Sequence, residues 1–246
     1  MEQVENLNAP FPLVFRDVHY MALLYRANSF EVHRHLENTG LKPALHFFGR
    51  PVVAVGLIQY KDSDLGAYNE IILSIPVVLD YDKSSQLSNW LDLYANFDKR
   101  RGGQFIIHIP VTSQRSVDGG RNLWGYPKTL EPIVHDFSNN KINSRLEDRD
   151  TNLLLQWKGS LGLGTPIPAM NLMTYSFLEG SLMKTKVDVK AKMKWFPFAD
   201  IQLSIKSNIT AMTKDIEALG LADKKPLAVL GADQFSAWFH APEKIH

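Results

Sequence analysis

The feature that most constrains the fold of this chain is a long succession of extended segments with few helical segments between them. The pattern is clearest over 183–195, where lysine and aspartate side chains alternate with mostly apolar ones, as in a strand with one solvated and one packed face. Further segments rich in β-branched and aromatic residues lie at 13–25, 44–60, 68–79, 104–111, 132–137, 142–147, 152–157, 172–178 and 201–207. So many strands without regular intervening helices predict an α+β fold with a predominantly antiparallel sheet.

Helical signals are confined to three segments. Capping residues and glycine stops predict helices over 29–39 and 210–219. A third, amphipathic pattern lies within 80–103, a polar segment that we interpret as an insertion between two strands. The simplest interpretation of this insertion is a helix that covers a sheet edge, and a lid or an oligomer contact is the alternative.

Composition narrows the classes of function. The 246 residues are 45% hydrophobic, and 27 basic side chains accompany 26 acidic ones, so the chain lacks the positive excess that nucleic-acid and anionic-membrane binders usually carry. The absence of cysteine excludes disulfides, thiolate zinc sites and iron–sulfur clusters. No repeat or linker divides the sequence, which predicts one domain over 1–246.

Missing motifs add further predictions. No apolar run reaches the roughly 20 residues of a membrane-spanning helix, and 1–10 does not resemble a signal peptide, so we expect a cytoplasmic protein without a membrane partner. His33 and His35 point to different faces of their predicted helix, and the other histidines are scattered, so we expect no metal site. No nucleotide-binding or hydrolase motif occurs, and we expect no cofactor.

One lysine stands in an unusual local context. Lys128 directly follows Pro127, which restricts the backbone, and it lies close to Trp124 and Tyr126, whose rings can exclude water from the amine. A desolvated ammonium loses its proton more easily, and the free amine is a nucleophile that forms a protonated Schiff base with a ketone. The alternative is that the lysine stem covers the rings while the amine stays in water.

The residues around this lysine resemble a known family. The sequence Gly-Arg-x-Leu-x-x-Tyr-Pro-Lys at 120–128 is similar to the active-site stretch of acetoacetate decarboxylase and its superfamily. Segments 24–26, 62–70, 75–77 and 226–242 resemble the family in the same order along the chain. The resemblance implies a curved, cone-like or barrel-like antiparallel sheet with a few peripheral helices, an interior lysine and a homo-oligomer.

The resemblance also implies roles for individual residues. Lys128 matches the Schiff-base lysine, and Glu70 matches a pocket glutamate that would act as the general acid and base. The alternative for Glu70 is a structural hydrogen bond. Tyr126 is then a candidate proton donor in the substrate pocket, and Trp124 a candidate for its wall.

Three positions depart from the family pattern. Thr129 stands where the decarboxylase has a second lysine, Val18 replaces a pocket arginine, and Val55 replaces another pocket glutamate. Arg16 lies two residues before Val18 on the same face of a predicted strand, so it could offer a guanidinium to a substrate carboxylate from a shifted position. The two valines predict a more apolar substrate pocket.

These observations lead to one main hypothesis and two alternatives. The main hypothesis is a cofactor-independent lyase resembling acetoacetate decarboxylase, which uses Lys128 to decarboxylate an oxo acid or related carbonyl compound, or to carry out aldol or dehydration chemistry on it. The first alternative is a non-catalytic binder of a hydrophobic carbonyl ligand in the same cavity. The second, which the balanced charge disfavours, is a nucleic-acid binder that uses the lysines of 184–194.

Overall fold

Strands make up half of the chain in the computed structural model, which describes residues 11–245. The strands are β1 (Leu13–Arg26), β2 (Leu41–Pro43), β3 (His46–Phe47), β4 (Arg50–Ser63), β5 (Tyr68–Leu79), β6 (Gly103–Val111), β7 (Lys128–Leu130), β8 (Ile133–Asp136), β9 (Lys141–Glu147), β10 (Leu153–Ser160), β11 (Thr165–Pro166), β12 (Leu172–Leu178), β13 (Ser181–Ala191), β14 (Lys194–Trp195), β15 (Asp200–Ile205), β16 (Ala228–Phe239) and β17 (Glu243–Lys244). The helices in the same part of the chain are α1 (Ser29–Leu36), α2 (Gln86–Asp92), α3 (Gln114–Trp124) and α4 (Ala211–Ala218). This content confirms the predicted α+β class.

Seven of the strands close into a barrel. Their order is β1-β4-β5-β6-β12-β13-β16, and β16 is hydrogen-bonded back to β1. The neighbouring pairs are antiparallel except for β6 and β12, which run parallel. Closure leaves the barrel wall without an open edge and creates an interior that side chains or a ligand can fill. The barrel confirms the predicted curved, barrel-like sheet.

The main apolar core lies outside the barrel rather than within it. A second sheet, ordered β15-β10-β9-β8, packs against β4 and β5. Leu57 and Leu73 of the barrel belong to the same buried cluster as Trp157 and Leu203 of this second sheet. Strands β4 and β5 are therefore buried on both faces, which explains why their sequences are almost continuously apolar.

Three helices occur where the sequence predicts them. The Asn28 side chain caps α1 by accepting a hydrogen bond from the Phe30 backbone N–H at 2.9 Å, and Thr210 caps α4. Helix α2 occupies a short part of the insertion at 80–103. The sequence pattern does not predict α3, because adjacent glycines lower its helix propensity. None of the helices in the described part of the chain is long and apolar enough to cross a membrane.

The lysine-rich segment is divided between two strands. Strand β13 ends at Ala191, and β14 begins at Lys194. Strand β14 pairs with β11 and β16, so the lysines of 184–194 do not share one continuous strand face. The prediction of an unbroken strand over 183–195 is therefore wrong. One of these lysines, Lys186, forms an ion pair with Glu243 in which Nζ lies 2.9 Å from Oε1.

Candidate active site

The turn after α3 places Lys128 at the barrel wall. Helix α3 ends at Gly125, which has a φ of 67°, and a Cβ atom at this position would lie 2.1 Å from the Phe177 carbonyl oxygen. Only glycine fits this left-handed turn without displacing the neighbouring backbone. Lys128 then opens β7, which runs parallel to β6 and pairs Lys128 with Ile109. The glycine and proline of the motif thus fix where the lysine enters the barrel.

The Lys128 side chain is almost fully enclosed. Its residue is 4% exposed, and its Nζ donates hydrogen bonds to Glu70 Oε2 at 2.7 Å and to Ser116 Oγ at 2.8 Å. The same nitrogen lies 5.3 Å from the centroid of the Tyr68 ring. The amine is therefore held inside the barrel by a carboxylate, a hydroxyl and an aromatic face, so the sequence alternative with the amine in water does not describe this structure.

Helix α3 supplies the space for the lysine stem. Ser116 and Gly120 are four residues apart, so they lie on the same face of the helix. A Cβ atom at Gly120 would lie 2.5 Å from Cδ and 2.6 Å from Cε of Lys128. The absence of a side chain at Gly120 opens the channel through which the stem reaches Glu70. The next residue, Arg121, fixes the lysine backbone through a 2.7 Å hydrogen bond from its Nε to the Lys128 carbonyl oxygen.

Glu70 is held at both carboxylate oxygens. It is 2% exposed, and its Oε1 accepts a hydrogen bond from the Tyr60 hydroxyl at 3.0 Å while Oε2 faces Lys128. Burial raises the pKa of Tyr60 and of Tyr68 well above the usual value, so both hydroxyls remain protonated donors at neutral pH. The carboxylate therefore has a fixed orientation toward the amine.

Trp124 and Tyr126 both contribute to the cavity wall. Their rings stack with centroids 5.7 Å apart. The Trp124 indole donates to the His240 carbonyl oxygen at 2.9 Å, and the Tyr126 hydroxyl lies 2.7 Å from Thr174 Oγ1. Burial raises the pKa of Tyr126, which keeps its hydroxyl protonated. These contacts give both rings a fixed position beside the lysine.

The Lys128–Glu70 pair opens onto a mainly apolar cavity in the barrel. Its volume is about 160 Å³, and its wall includes the small residues Ala22, Ala54 and Gly56 in the middle of β1 and β4. Residues of the insertion at 80–103 form the far end of the cavity. The insertion therefore closes part of the cavity, whichever further role it has.

The structure corrects the expected positions of two site residues. Val18 lines the cavity, but Val55 faces the apolar core between the two sheets because its neighbours Ala54 and Gly56 occupy the inward positions of β4. Arg16 lies on the outer surface beside Asp64, since a β-bulge between Phe15 and Val18 breaks the strand alternation. The assumption of an uninterrupted strand is wrong there.

Thr129, the third position that departs from the family pattern, is exposed on β7. Its side chain therefore gives the amine no neighbouring charge inside the barrel. Among residues 11–245, no group of three or more histidine, aspartate or glutamate residues could hold a metal ion.

Sequence reasoning misses several residues that complete the site. Ser116, Tyr60 and Tyr68 contact the Lys128–Glu70 pair from three different elements, and Arg100 lines the far end of the cavity. The four-residue spacing from Ser116 to Gly120 is a signal that could have revealed the first of them, provided that α3 had been predicted. The tyrosines lie opposite each other on β4 and β5, a pairing that the sequence alone does not show.

The fold and the site together place this chain in a class of closed-barrel proteins that hold a lysine–glutamate pair in an apolar interior cavity. The family model described as acetoacetate decarboxylase (ADC) matches residues 3–178, so this chain belongs to the acetoacetate decarboxylase family. A search of curated proteins gave no match.

Three solved structures of enzymes share the fold of this chain. An acetoacetate decarboxylase from Legionella pneumophila subsp. pneumophila str. Philadelphia 1 is 16% identical, with a TM-score of 0.73 over 100% of this chain and 92% of that one. An acetoacetate decarboxylase-like enzyme from Sphingomonas wittichii RW1 is 14% identical, with a TM-score of 0.63 over 97% and 94%. The enduracididine biosynthesis enzyme MppR, complexed with the condensation product of pyruvate and imidazole 4-carboxaldehyde, is 13% identical, with a TM-score of 0.66 over 96% and 90%.

Proposed function

We propose that this protein is a cofactor-independent lyase that forms a Schiff base between the Lys128 amine and the carbonyl group of an oxo acid or related compound. The observation that carries the proposal is the 2.7 Å contact between Lys128 Nζ and Glu70 Oε2 inside an apolar cavity. A buried amine next to a proton acceptor has the two groups that carbonyl condensation needs.

Glu70 accepts a proton from Lys128 and later returns it in this mechanism. The Lys128 ammonium transfers a proton to the Glu70 carboxylate, and the free amine attacks the substrate carbonyl carbon to give a carbinolamine. The protonated Glu70 returns its proton to the departing hydroxyl, which leaves as water. The resulting protonated Schiff base is a cation, and the regenerated Glu70 carboxylate lies in position to stabilise it.

The Schiff base then acts as an electron sink. In decarboxylation, the bond between the α-carbon and the carboxylate breaks, its electron pair moves toward the nitrogen, and carbon dioxide leaves an enamine that is protonated and hydrolysed. In the aldol branch, the Glu70 carboxylate removes an α-proton from the Schiff base to give the enamine. The enamine attacks an aldehyde carbon to form a new carbon–carbon bond, and Glu70 returns the proton to the alkoxide oxygen. The condensation product described for MppR supports retaining this branch for a family member with an altered pocket.

Exchange of the carbonyl oxygen tests the proposal without knowledge of the final product. Reversible Schiff-base formation in ¹⁸O-labelled water replaces the ketone oxygen, which mass spectrometry detects. We expect exchange with at least one member of a panel of ketones and oxo acids, and a loss of about 100-fold or more in Lys128→Met. The exposed Lys158 provides the matched control, because Lys158→Met removes a lysine from the outer sheet. No exchange with any compound would contradict the proposal.

A non-catalytic binder remains the second candidate. It is favoured by the apolar cavity wall and by the ion pair that joins the Lys128 amine to Glu70. This candidate predicts tight binding of a hydrophobic carbonyl ligand with no oxygen exchange, and the same affinity in Lys128→Met. The homo-oligomeric state and the cytoplasmic location of this protein remain predictions under either function.

A further inference from the structure

The far end of the cavity contains a buried guanidinium. Arg100 belongs to the insertion between β5 and β6, is 7% exposed and lines the cavity wall. Its terminal NH1 nitrogen donates to the Asn171 carbonyl oxygen. Its Nε has no hydrogen-bond partner among the residues that the structure describes. A positively charged group is thus placed in a mainly apolar cavity with part of its hydrogen-bonding capacity unused.

No carboxylate in the described part of the chain lies within 4 Å of Arg100. The nearest acidic candidate in the cavity wall is Asp92, whose Oδ2 accepts a hydrogen bond from the Gly102 backbone N–H at 2.7 Å. Asp92 also accepts from the Arg101 backbone N–H, and its Oδ1 lies 3.5 Å from the Arg101 side chain. These hydrogen bonds commit Asp92 to organising the insertion, so its carboxylate acts on Arg100 only as a nearby charge, without a direct contact.

A buried, unpaired guanidinium is costly to maintain. Transfer of a charge out of water is unfavourable unless a counter-charge and hydrogen bonds compensate it. Burial lowers the pKa of Arg100, which reflects the same desolvation. A ligand carboxylate would supply the missing charge and two acceptor oxygens in the planar geometry that arginine binds best.

Arg100 and Lys128 lie near opposite ends of the cavity. A Cβ atom at Gly102 would lie 3.2 Å from the Val77 carbonyl oxygen, so the end of the insertion that carries Arg100 lies beside Val77 of β5. Lys128, in contrast, contacts Glu70 near the start of the same strand. The seven residues from Glu70 to Val77 span about 23 Å at the usual strand rise. Both long side chains reach inward and shorten the gap between their charged groups.

The space between the two groups suits an aliphatic chain. The wall there includes Ala22, Ala54, Gly56, Ile58 and Ile72. The cavity volume of about 160 Å³ is comparable to that of apolar protein cavities that bind small organic molecules.

We propose that the substrate is an elongated carbonyl compound whose apolar chain ends in a carboxylate, with its carbonyl carbon at Lys128 and its carboxylate at Arg100. This inference rests on the proposed function and adds the substrate class and a specificity-determining residue to it. It assigns the insertion at 80–103 a part in substrate recognition.

Two ketones of equal chain length test the inference on the unmodified protein. 7-Oxooctanoate carries a terminal carboxylate, 2-octanone lacks it, and isothermal titration calorimetry measures both affinities. We expect 7-oxooctanoate to bind about 10- to 100-fold more tightly, the range for a charge-assisted hydrogen-bonded pair. Levulinate, which is too short to span both groups, is expected to lose most of this advantage. Equal affinities for the two ketones of equal length would overturn the inference.

Variants then identify the group that recognises the carboxylate. Arg100→Gln is expected to abolish the preference, and Arg100→Lys to retain part of it. Arg16→Gln is the matched control, because it removes a guanidinium from the outer surface. Loss of the preference in Lys128→Met but not in Arg100→Gln would show that the carboxylate binds the amine, which also overturns the inference. If Arg100→Gln does not fold, the comparison of Arg100→Lys with Lys128→Met decides between the two positions.

The two proposals fail in distinguishable ways. Oxygen exchange without a preference for the carboxylate would retain the Schiff base and remove the role of Arg100. A strong preference that depends on Arg100, without exchange in any compound, would retain recognition of the chain end and remove the lyase reaction.

Discussion

The shape of single residues around Lys128 controls the amine as strongly as charge does. The lysine stem passes directly over Gly120, where a Cβ atom would lie 2.5 Å from Cδ. The Nζ contacts to Glu70 and Ser116 are 2.7 and 2.8 Å, so a displaced stem cannot keep both hydrogen bonds. Gly120 is therefore a positioning residue for the amine.

The Gly120→Ala substitution tests the placement of the Lys128 amine independently of the stability of helix α3. Alanine favours a helix interior by about 1 kcal/mol over glycine, so Gly120→Ala gains helix propensity while it displaces the lysine stem. We expect a fall of about 100-fold in carbonyl-oxygen exchange, with a circular dichroism spectrum close to that of the unmodified protein. Full exchange activity in a folded Gly120→Ala variant would show that the stem has more freedom than the structure indicates.

Individual residues differ in how well the sequence predicts their place in this site. The motif at 120–128 identifies Lys128, and the family resemblance identifies Glu70, because both are read from local sequence. Their contact joins residues 58 positions apart and depends on the pairing of strands. The inward or outward direction of Arg16 depends on a bulge, which strand alternation alone does not reveal.

At the scale of elements, His135 of β8 links the second sheet to the barrel strand that carries Glu70. Its Nε2 lies 3.2 Å from the Glu70 carbonyl oxygen, and its Nδ1 lies 2.8 Å from Ser144 Oγ on β9. Burial lowers the pKa of His135 from 6.5 to about 4, so the folded protein keeps this ring neutral in mildly acidic solution.

This buried histidine makes stability depend on pH. Between about pH 6.5 and pH 4 the unfolded chain binds a proton at His135 that the folded chain excludes, so stability falls as the pH decreases through this window. The difference corresponds to a loss of about 3 kcal/mol. Urea unfolding across the window should show a shallower pH dependence in His135→Gln. The exposed His33 serves as the control, since His33→Gln should leave the slope unchanged; equal slopes in all three proteins would contradict the account.

Most of the barrel strands and three of the four described helices are predictable from the sequence of this chain. Alternation and β-branched residues locate most of the barrel and second-sheet strands within a few residues, because burial of one or both faces selects those residues. The sequence pattern does not predict α3 because Gly119 and Gly120 lower its helix propensity, and Gly120 is the residue that leaves space for the Lys128 stem. Strand β16 escapes prediction for a similar reason: Gly231, Asp233 and Ser236 interrupt its pattern, and pairing with β1 and β13 imposes its extended form.

At the scale of the whole molecule, barrel closure creates the cavity that Lys128 and Glu70 line. Pairing of β1 with β16 joins the two ends of the described chain, and this contact between distant segments turns a row of strands into an enclosed cavity. The sequence predicts a curved sheet through family resemblance, but it does not predict that the insertion at 80–103 closes part of the cavity. That insertion brings Arg100 to the end opposite Lys128. The assignment of 1–246 to one domain remains a prediction.

The central claim is that the enclosed Lys128 amine condenses with a carbonyl compound, and borohydride trapping tests it most directly. The protein is incubated with 7-oxooctanoate and other oxo acids, treated with sodium borohydride, digested and sequenced by mass spectrometry. We expect the reduced substrate as a stable secondary amine on the peptide that contains Lys128, and no such adduct on exposed lysines such as Lys158. Adducts spread over surface lysines, with Lys128 unmodified under every condition, would contradict the account.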